Sequence, residues 1–403
     1  MRALILTNEF PPDIYGGAGV HVAELTRHLR SLIELDVRTF GSRAETDAGW
    51  RVQGYPAEHD LTGADDRLRP MLAALSRDIG MVADPVDADV VHVHTWYTHL
   101  AGLLVRLAYG LPLVLTVHSL EPLRPWKREQ LGGGYDVSSW IERTAIESAD
   151  AVVAVSRETR ADVLRHFSIP PERIHVIHNG IDADFYRPDA GTGALERHGI
   201  DPSVPYALFV GRITRQKGIV HLVRAIRHLD PGIGVVLCAG QPDTPEIAAE
   251  MEAGVAAAQA DRPHVTWIGE MLSREEVRQL YSNAAVFCCP SVYEPFGIIN
   301  LEAAACETPV VASAVGGIPE VVVDGETGLL VPVELSLQDP MLPVDADRFE
   351  RNLAGAINAL MADEATRTLM GKAARRRAVE QFSWSAIARQ TADLYETLVG
   401  RGR

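Results

Sequence analysis

The sequence predicts two α/β domains in tandem, each built on a doubly wound, mostly parallel sheet with helices on both faces. The length of 403 residues exceeds the roughly 100 to 200 residues of an ordinary domain. Short apolar runs alternate with amphipathic stretches along the whole chain, which is the pattern of a βαβ series. Because most of these runs are continuously apolar, the strands are expected to be covered on both faces.

The first domain is predicted over residues 1–180, and the second over residues 181–383. Strands of the first are predicted at "RALILT", "LDVRTF", "DVVHVH", "PLVLTV", "AVVAVS" and "RIHVIH", followed by a linker-like "HNGIDADFYRPD". Strands of the second are predicted at "YALFVG", "GVVLCAG", "HVTWIG", "AVFCCP" and "PVVAS", with helices near 218–229 and 273–283. A final helix over 384–403 is predicted to join the first domain. Since ligands of such sheets bind beyond the carboxyl ends of the strands, an interdomain cleft is the predicted site.

The composition excludes several classes of function. A net charge of −16 argues against nucleic acid or an anionic membrane surface as a partner. No stretch approaches the ~20 apolar residues of a membrane span, and the first apolar run is too short for a signal peptide, so a cytoplasmic protein is predicted. The four cysteines show no CxxC spacing and are predicted to be buried, reduced thiols.

Glycines and a histidine mark the strand ends of the first domain. Gly16 and Gly17 in "YGGAG" open a helix whose N-terminus could hold a phosphate, although a plain strand-to-helix turn explains them equally well. His118, at the end of "PLVLTVH", could hydrogen-bond a sugar hydroxyl or act as an acid or base. His92 and His94 are expected in the core or at its rim, and no third ligand at a suitable spacing indicates a metal site.

Basic residues follow the first strand of the second domain in "VGRITRQKGIVHL". Arg212 and Lys217 are placed to clamp a diphosphate, whereas Arg215 is expected to be solvated. The alternative is an ordinary solvated charge cluster.

The stretch "PSVYEPFGIINLE" combines two carboxylates with a predicted helix start. Gly297 precedes a first turn whose amides, from Ile298, Ile299 and Asn300, could receive a phosphate. Glu294 lies in the loop before that helix.

Glu302 lies within the helix and by itself reads as a surface residue. Further along the chain, Gly316 and Gly317 form another turn, which alone is more often only a turn.

Together these motifs resemble the retaining glycosyltransferases of the glycogen-synthase-like family, which have the GT-B fold. The likeness rests on the ordered set "YGGAG", "TVHSLEP", "GRITRQKG", "EPFGIINLE" with its E-x7-E spacing, and "GGIPEVVVDGETGLLV", and it covers nearly the whole chain. Within the family the chain most resembles the short actinobacterial type that uses ADP-glucose and is assigned as glycogen synthase or α-maltose-1-phosphate synthase. Longer bacterial glycogen synthases have a Lys-Thr-Gly-Gly loop where this chain has Ile14 and Tyr15 before Gly16, which argues against polymer elongation.

The resemblance implies a role for each predicted site residue. Glu294 would meet the sugar hydroxyls and the reacting centre, Glu302 the nucleotide ribose, and His118 the donor sugar. The remaining donor contacts would go to the phosphates and are expected from Gly16, Gly17, Arg212, Lys217, Gly297, Ile298, Ile299 and Asn300. The first domain would bind the acceptor, and the second the nucleotide sugar.

A basic cluster after His118 bears on the acceptor. The segment "SLEPLRPWKREQLGGGY" places Arg124, Lys127 and Arg128 on the predicted acceptor domain of a strongly acidic chain. We hypothesise that these residues receive glucose 1-phosphate, and a solvated loop is the alternative. No enzymic nucleophile is evident, so same-face attack is expected, with the leaving phosphate taking the acceptor proton and neither cofactor nor metal required.

Other functions remain open from the sequence. The chain could elongate an α-glucan, act as another nucleotide-sugar glycosyltransferase, epimerise a sugar nucleotide, or bind a ligand without catalysis. A dinucleotide-dependent dehydrogenase is disfavoured because "YGGAG" lacks the GxGxxG spacing. Neither the nucleotide base nor the oligomeric state, for which a homodimer is one option, follows from the sequence.

Overall fold

The computed structural model describes residues 1–57, 60–124, 127, 128, 132–336, 339 and 341–401. The chain forms two compact units. Unit 1 comprises Met1–Gly180 and Trp384–Arg403, and unit 2 comprises Ile181–Ser383. In the part of the chain that the structure describes, every helix is too short or too polar to cross a membrane.

Unit 1 is built on a sheet of eight strands among its described residues, in the order β3-β4-β2-β1-β5-β6-β7-β8. All neighbours are parallel except the β3–β4 pair, which is antiparallel. The strands are β1 Arg2–Thr7, β2 Glu34–Phe40, β3 Ala44–Asp47, β4 Trp50–Tyr55, β5 Val90–His94, β6 Leu113–Val117, β7 Ala151–Ala154 and β8 Ile174–Val176.

Helices cover both faces of this sheet. They are α1 Gly17–Leu29, α2 Arg69–Ala83, α3 His99–Tyr109, α4 Gly133–Ser148, α5 Arg157–His166 and the terminal α14 Trp384–Arg401, with short 3-10 turns at Trp96–Thr98, Glu121–Leu123 and Pro171–Arg173. The predicted apolar spacing of α14 is confirmed, because Trp384, Ile387, Ala388 and Leu398 are all buried in the unit 1 core.

Unit 2 is built on a parallel sheet of six strands among its described residues, in the order β11-β10-β9-β12-β13-β14. The strands are β9 Tyr206–Ile213, β10 Gly234–Pro242, β11 Val265–Ile268, β12 Val286–Cys289, β13 Val310–Ser313 and β14 Gly328–Val331. The helices are α6 Gly193–Arg197, α7 Ile219–Ala225, α8 Pro245–Asp261, α9 Arg274–Asn283, α10 Ile298–Ala305, α11 Ile318–Val321, α12 Ala346–Ala362 and α13 Glu364–Gln381, with a 3-10 turn at Ile226–His228.

Each predicted strand is present, and the structure adds three that the apolar pattern did not reveal. All four residues of β3 are exposed, so this edge strand has no apolar run. The pattern of β4 alternates, and β14 has only four residues. The four cysteines are free and buried, as predicted.

Candidate active-site residues

A buried ion pair joins two predicted site residues of unit 2. The Lys217 ammonium lies 2.6 Å from Oε2 of Glu294, although the residues are 77 positions apart. The two side chains are only 17% and 8% exposed, so the pair is largely withdrawn from water. Ser291 donates a further hydrogen bond of 3.4 Å to the same carboxylate oxygen. The structure therefore brings the predicted phosphate-binding cation and the predicted sugar-binding carboxylate into direct contact.

Two glycines allow the segments that follow other strands to approach the loop that carries Glu294. Gly218 has a φ of +63°, and a Cβ there would lie 2.0 Å from the Pro290 carbonyl oxygen. Gly316 has a φ of +54°, and a Cβ there would lie 2.0 Å from the carbonyl oxygen of Glu294. Only glycine combines this conformation with so close a backbone contact. Gly317 also donates its N–H to the Glu294 carbonyl at 3.0 Å, so the turn at Gly316 and Gly317 fixes the backbone of the site carboxylate.

Arg212 has a different partner. It lies near the carboxyl end of β9, and its Nη1 is 3.6 Å from Oδ1 of Asp243. The side chains of Arg212 and Asp243 are 37% and 29% exposed, so the guanidinium is accessible to an anionic ligand. Arg215 is exposed, in agreement with its predicted solvation.

The N-terminus of α10 offers fewer free backbone amides to an anion than the sequence indicates. Gly297 caps the helix in a left-handed conformation, and the Asn300 N–H donates to the Gly297 carbonyl at 3.0 Å. That amide is therefore engaged, and the predicted phosphate donors reduce to Ile298 and Ile299. The Asn300 side chain is fully buried, and neither of its polar atoms has a partner among the described residues.

Glu302 is fixed by aromatic hydroxyls and is not a solvated helix residue. The Tyr281 hydroxyl donates to Oε2 of Glu302 at 3.1 Å. Burial raises the pKa of Glu302, while the hydroxyls of Tyr186 and Tyr281 and the Arg274 guanidinium oppose that rise. A carboxylate oriented in this way could accept hydrogen bonds from ribose hydroxyls, and that role of Glu302 stays a prediction.

In unit 1 the Gly16 loop already binds an anionic group. Oε2 of Glu9 accepts the N–H of Tyr15 at 2.9 Å and that of Gly16 at 2.8 Å. The loop geometry therefore suits an anion, but the Gly16 amide is occupied by an internal carboxylate. A donor phosphate at Gly16 and Gly17 would require Glu9 to move.

His118 lies in a group of neutral imidazoles. Its Nε2 is 3.1 Å from Nδ1 of His94, and its ring packs edge-on against His21, with centroids 4.7 Å apart. Burial lowers the pKa of His118 well below the ordinary value, and the neighbouring histidines lower it further. A neutral imidazole can hydrogen-bond a sugar hydroxyl, but it is not a ready proton donor at pH 7.

His92 is a core residue as predicted. Its ring nitrogens bond to the Tyr395 hydroxyl at 2.5 Å and to Oγ1 of Thr116 at 2.7 Å. The sequence showed no third ligand at a suitable spacing beside His92 and His94, but the fold brings ring nitrogens of His21 from α1, His94 and His118 within 4.8 Å of one another. Sequence spacing gave no signal for this, since His21 is far from His94 along the chain.

The three basic residues of the acceptor cluster have unlike surroundings. Arg124 is 17% exposed, donates to Oγ of Ser119 at 3.1 Å, and lies 3.7 Å from Oε1 of the buried Glu121. Lys127 is half-buried. Arg128 is exposed and pairs with Asp136. Glu121, which the charge pattern did not identify, is thus a buried acid beside Arg124.

Comparison with known proteins identifies the class. A model of glycosyltransferase family 4 matches residues 15–185, and a model of the glycosyl transferases group 1 matches residues 194–339. The chain belongs to this glycosyltransferase family, which has the GT-B fold, and it is a nucleotide-sugar-dependent enzyme.

Similar proteins narrow the class further. The chain is 50% identical over 399 residues to the alpha-maltose-1-phosphate synthases of Mycolicibacterium smegmatis and Mycobacterium tuberculosis, with 98% of this chain and 99% of each relative covered. It also matches the solved structure of sucrose-phosphate synthase from Thermosynechococcus elongatus, with a TM-score of 0.80, 27% identity and 100% of both chains covered.

Proposed function

We propose that this protein is a retaining glucosyltransferase that transfers the α-glucosyl unit of ADP-glucose to glucose 1-phosphate, giving α-maltose 1-phosphate. The observation that carries the chemistry is the buried Lys217–Glu294 pair, with its 2.6 Å separation. The choice of acceptor is supported by the 50% identity to proteins named for that product.

The chemistry requires stabilisation of two charges of opposite sign. Negative charge develops on the departing diphosphate, which Lys217 and Arg212 would neutralise through charge-assisted hydrogen bonds. Positive charge develops at the anomeric carbon, where Glu294 would stabilise it. Because the two cations supply the field that the leaving group needs, the proposal includes no metal. The leaving phosphate takes the proton of the acceptor hydroxyl on the same face, so the configuration is retained.

Loss of either cation tests the donor assignment. Replacing Lys217 or Arg212 by alanine should lower kcat roughly 100- to 1000-fold, by analogy with lost oxyanion donors. Arg215→Ala is the matched control, because that side chain is exposed in the same segment, and it should leave kcat within about twofold. Steady-state kinetics with ADP-glucose would contradict the roles if either loss stayed below tenfold.

The acceptor assignment predicts a selective change in KM. Charge reversal at Arg124 would place a second carboxylate beside that of buried Glu121, so Arg124→Gln and Lys127→Glu are the cleaner variants. Both should raise the KM for glucose 1-phosphate at least tenfold, which corresponds to about 1.4 kcal/mol of binding free energy. The KM for neutral maltodextrin should change little. Arg143→Gln, on the exposed face of α4, serves as the control. Equal effects on the two acceptors would refute phosphate recognition by this cluster.

Product analysis separates the alternatives. ADP-glucose and UDP-glucose are each offered with glucose 1-phosphate or glycogen, and nucleotide release and product mass are followed. A disaccharide phosphate supports the proposal, whereas growth of glycogen alone would make the protein a glucan-elongating synthase. Solvent deuterium entering the sugar nucleotide without an acceptor would indicate an epimerase.

A further inference from the structure

Three imidazoles from separate elements converge in unit 1. His21 comes from α1, His94 from the end of β5, and His118 directly follows β6. One ring nitrogen from each lies within 4.8 Å of the other two, and the ring centroids are 4.7–5.4 Å apart.

Two of the three rings have a buried nitrogen without a partner among the described residues. Nδ1 of His21 lies 2.6 Å from Oδ1 of Asn179, and because an amide oxygen only accepts, Nδ1 carries the hydrogen. Nε2 of His21 then has a free lone pair, and it is buried without a partner among the described residues. Nε2 of His94 is likewise buried and unpartnered there. In metal-binding histidines one ring nitrogen typically donates its N–H to an oxygen, while the other nitrogen, which carries no hydrogen, binds the metal.

The three ring nitrogens lie within 4.8 Å of one another, which is wider than the spacing around a bound tetrahedral ion. Zinc–nitrogen bonds of about 2.0–2.1 Å place tetrahedral ligand nitrogens roughly 3.3–3.4 Å apart. Nδ1 of His94 and Nε2 of His118, 3.1 Å apart, share one hydrogen, so an ion that took both nitrogens would shift that hydrogen to another ring nitrogen. The three rings would also have to close in from the 4.8 Å within which their nitrogens lie. Three imidazoles without a carboxylate favour zinc, copper or nickel over magnesium or calcium.

We propose that His21, His94 and His118 bind one divalent transition-metal ion of the zinc type, and that the bound ion inhibits glucosyl transfer. The inhibition rests on the proposed function, because it assumes that His118 contacts the donor sugar. The proposal takes the ring nitrogen of His118 that ligates the ion to be the one that bonds that sugar, so metal and donor exclude each other. By thermodynamic reciprocity, each should weaken the binding of the other by the same factor.

Metal binding is tested on the purified full-length protein without any assay of turnover. Zinc affinity is measured by competition with a chromophoric chelator, and cobalt is added to record the visible absorption of a tetrahedral nitrogen site. One ion per chain is expected. His21→Gln should abolish the high-affinity step, and Asn179→Ala should weaken it about 10- to 100-fold through loss of ring orientation.

His99→Gln is the matched control. His99 is also buried in unit 1, its pKa is lowered to about 3, and it is not in the group of three. Its replacement should leave the affinity unchanged, and thermal melting of each variant without metal checks folding. The site is refuted if wild type binds zinc no better than His21→Gln, or if His99→Gln loses affinity equally.

The inhibitory part has its own readout. Saturating ADP-glucose should raise the apparent zinc Kd, and a chelator should preserve or increase turnover. If zinc binds but ADP-glucose leaves its Kd unchanged, the exclusion is wrong. Failure of the proposed function would appear separately, as absence of product from ADP-glucose and glucose 1-phosphate in chelator.

Discussion

The Lys217–Glu294 pair should be strongly coupled energetically, and a double-mutant cycle measures this. The variants are Lys217→Met, Glu294→Gln and their combination. Removing one partner of a buried pair leaves an uncompensated charge, which costs about 3–5 kcal/mol. Since Lys217 is 17% exposed and Glu294 8%, partial hydration reduces the effect, and we expect about 3 kcal/mol for Lys217→Met and about 2 kcal/mol for Glu294→Gln.

The double variant has no stranded charge. It should therefore cost only about 2–3 kcal/mol, which leaves a coupling energy of about 2–3 kcal/mol. An exposed pair in the same unit, Arg351 with Asp347, supplies the control, and Arg351→Met should change stability by less than about 1 kcal/mol.

Hydrogen exchange followed by mass spectrometry measures the opening free energy of each unit separately. This suits a chain of two units, which need not unfold in a single transition. Peptides from β12 report the opening of unit 2, and peptides from β1 are the internal reference in unit 1. If the two single changes add within about 0.5 kcal/mol, the side chains are not coupled and the buried pair is refuted.

Two further changes test the surroundings of the site. Gly316→Ala should destabilise unit 2 by about 1–3 kcal/mol and lower kcat, because the new Cβ would press on the Glu294 backbone, whereas Gly325→Ala, with φ +74° and nothing within 4 Å, isolates the cost of the backbone conformation. Equal effects of the two changes in hydrogen exchange would contradict the contact. Burial and the nearby charge of Glu121 raise the pKa of Glu142 well above 4.5. The folded protein therefore holds this proton more tightly than the unfolded chain does. The stability that results is lost as the pH rises from about 4.5 through the raised pKa. Glu142→Gln should therefore raise the melting temperature more at about pH 8 than at about pH 5, and an equal rise at both would contradict the assignment.

The sequence predicted the strands because their signal is local. Runs such as "PLVLTV" and "AVFCCP" are apolar over consecutive positions, and this suffices to indicate a strand covered on both faces. The exposed edge strand β3 escaped the same reasoning, because it buries nothing and therefore has no apolar run.

The site residues were partly predictable for a related reason. Cations and carboxylates at strand ends and helix starts can be recognised from adjacent residues, so Lys217 and Glu294 were candidates on local grounds. Glu302 read as a surface residue by itself and became a candidate only through the family resemblance. The tyrosine that fixes Glu302 was not a candidate, since Tyr281 lies on a different helix.

By itself, then, the sequence determined eleven of the fourteen described strands and which charged residues lie at their ends. Only the tertiary structure decided the pairing of Lys217 with Glu294 across 77 positions, the contact of Gly316 with that carboxylate's backbone, and the presence of His21 beside His94. Propensity and burial are encoded in neighbouring residues, whereas these contacts depend on strand order and on crossovers that bring distant turns to one end of a sheet.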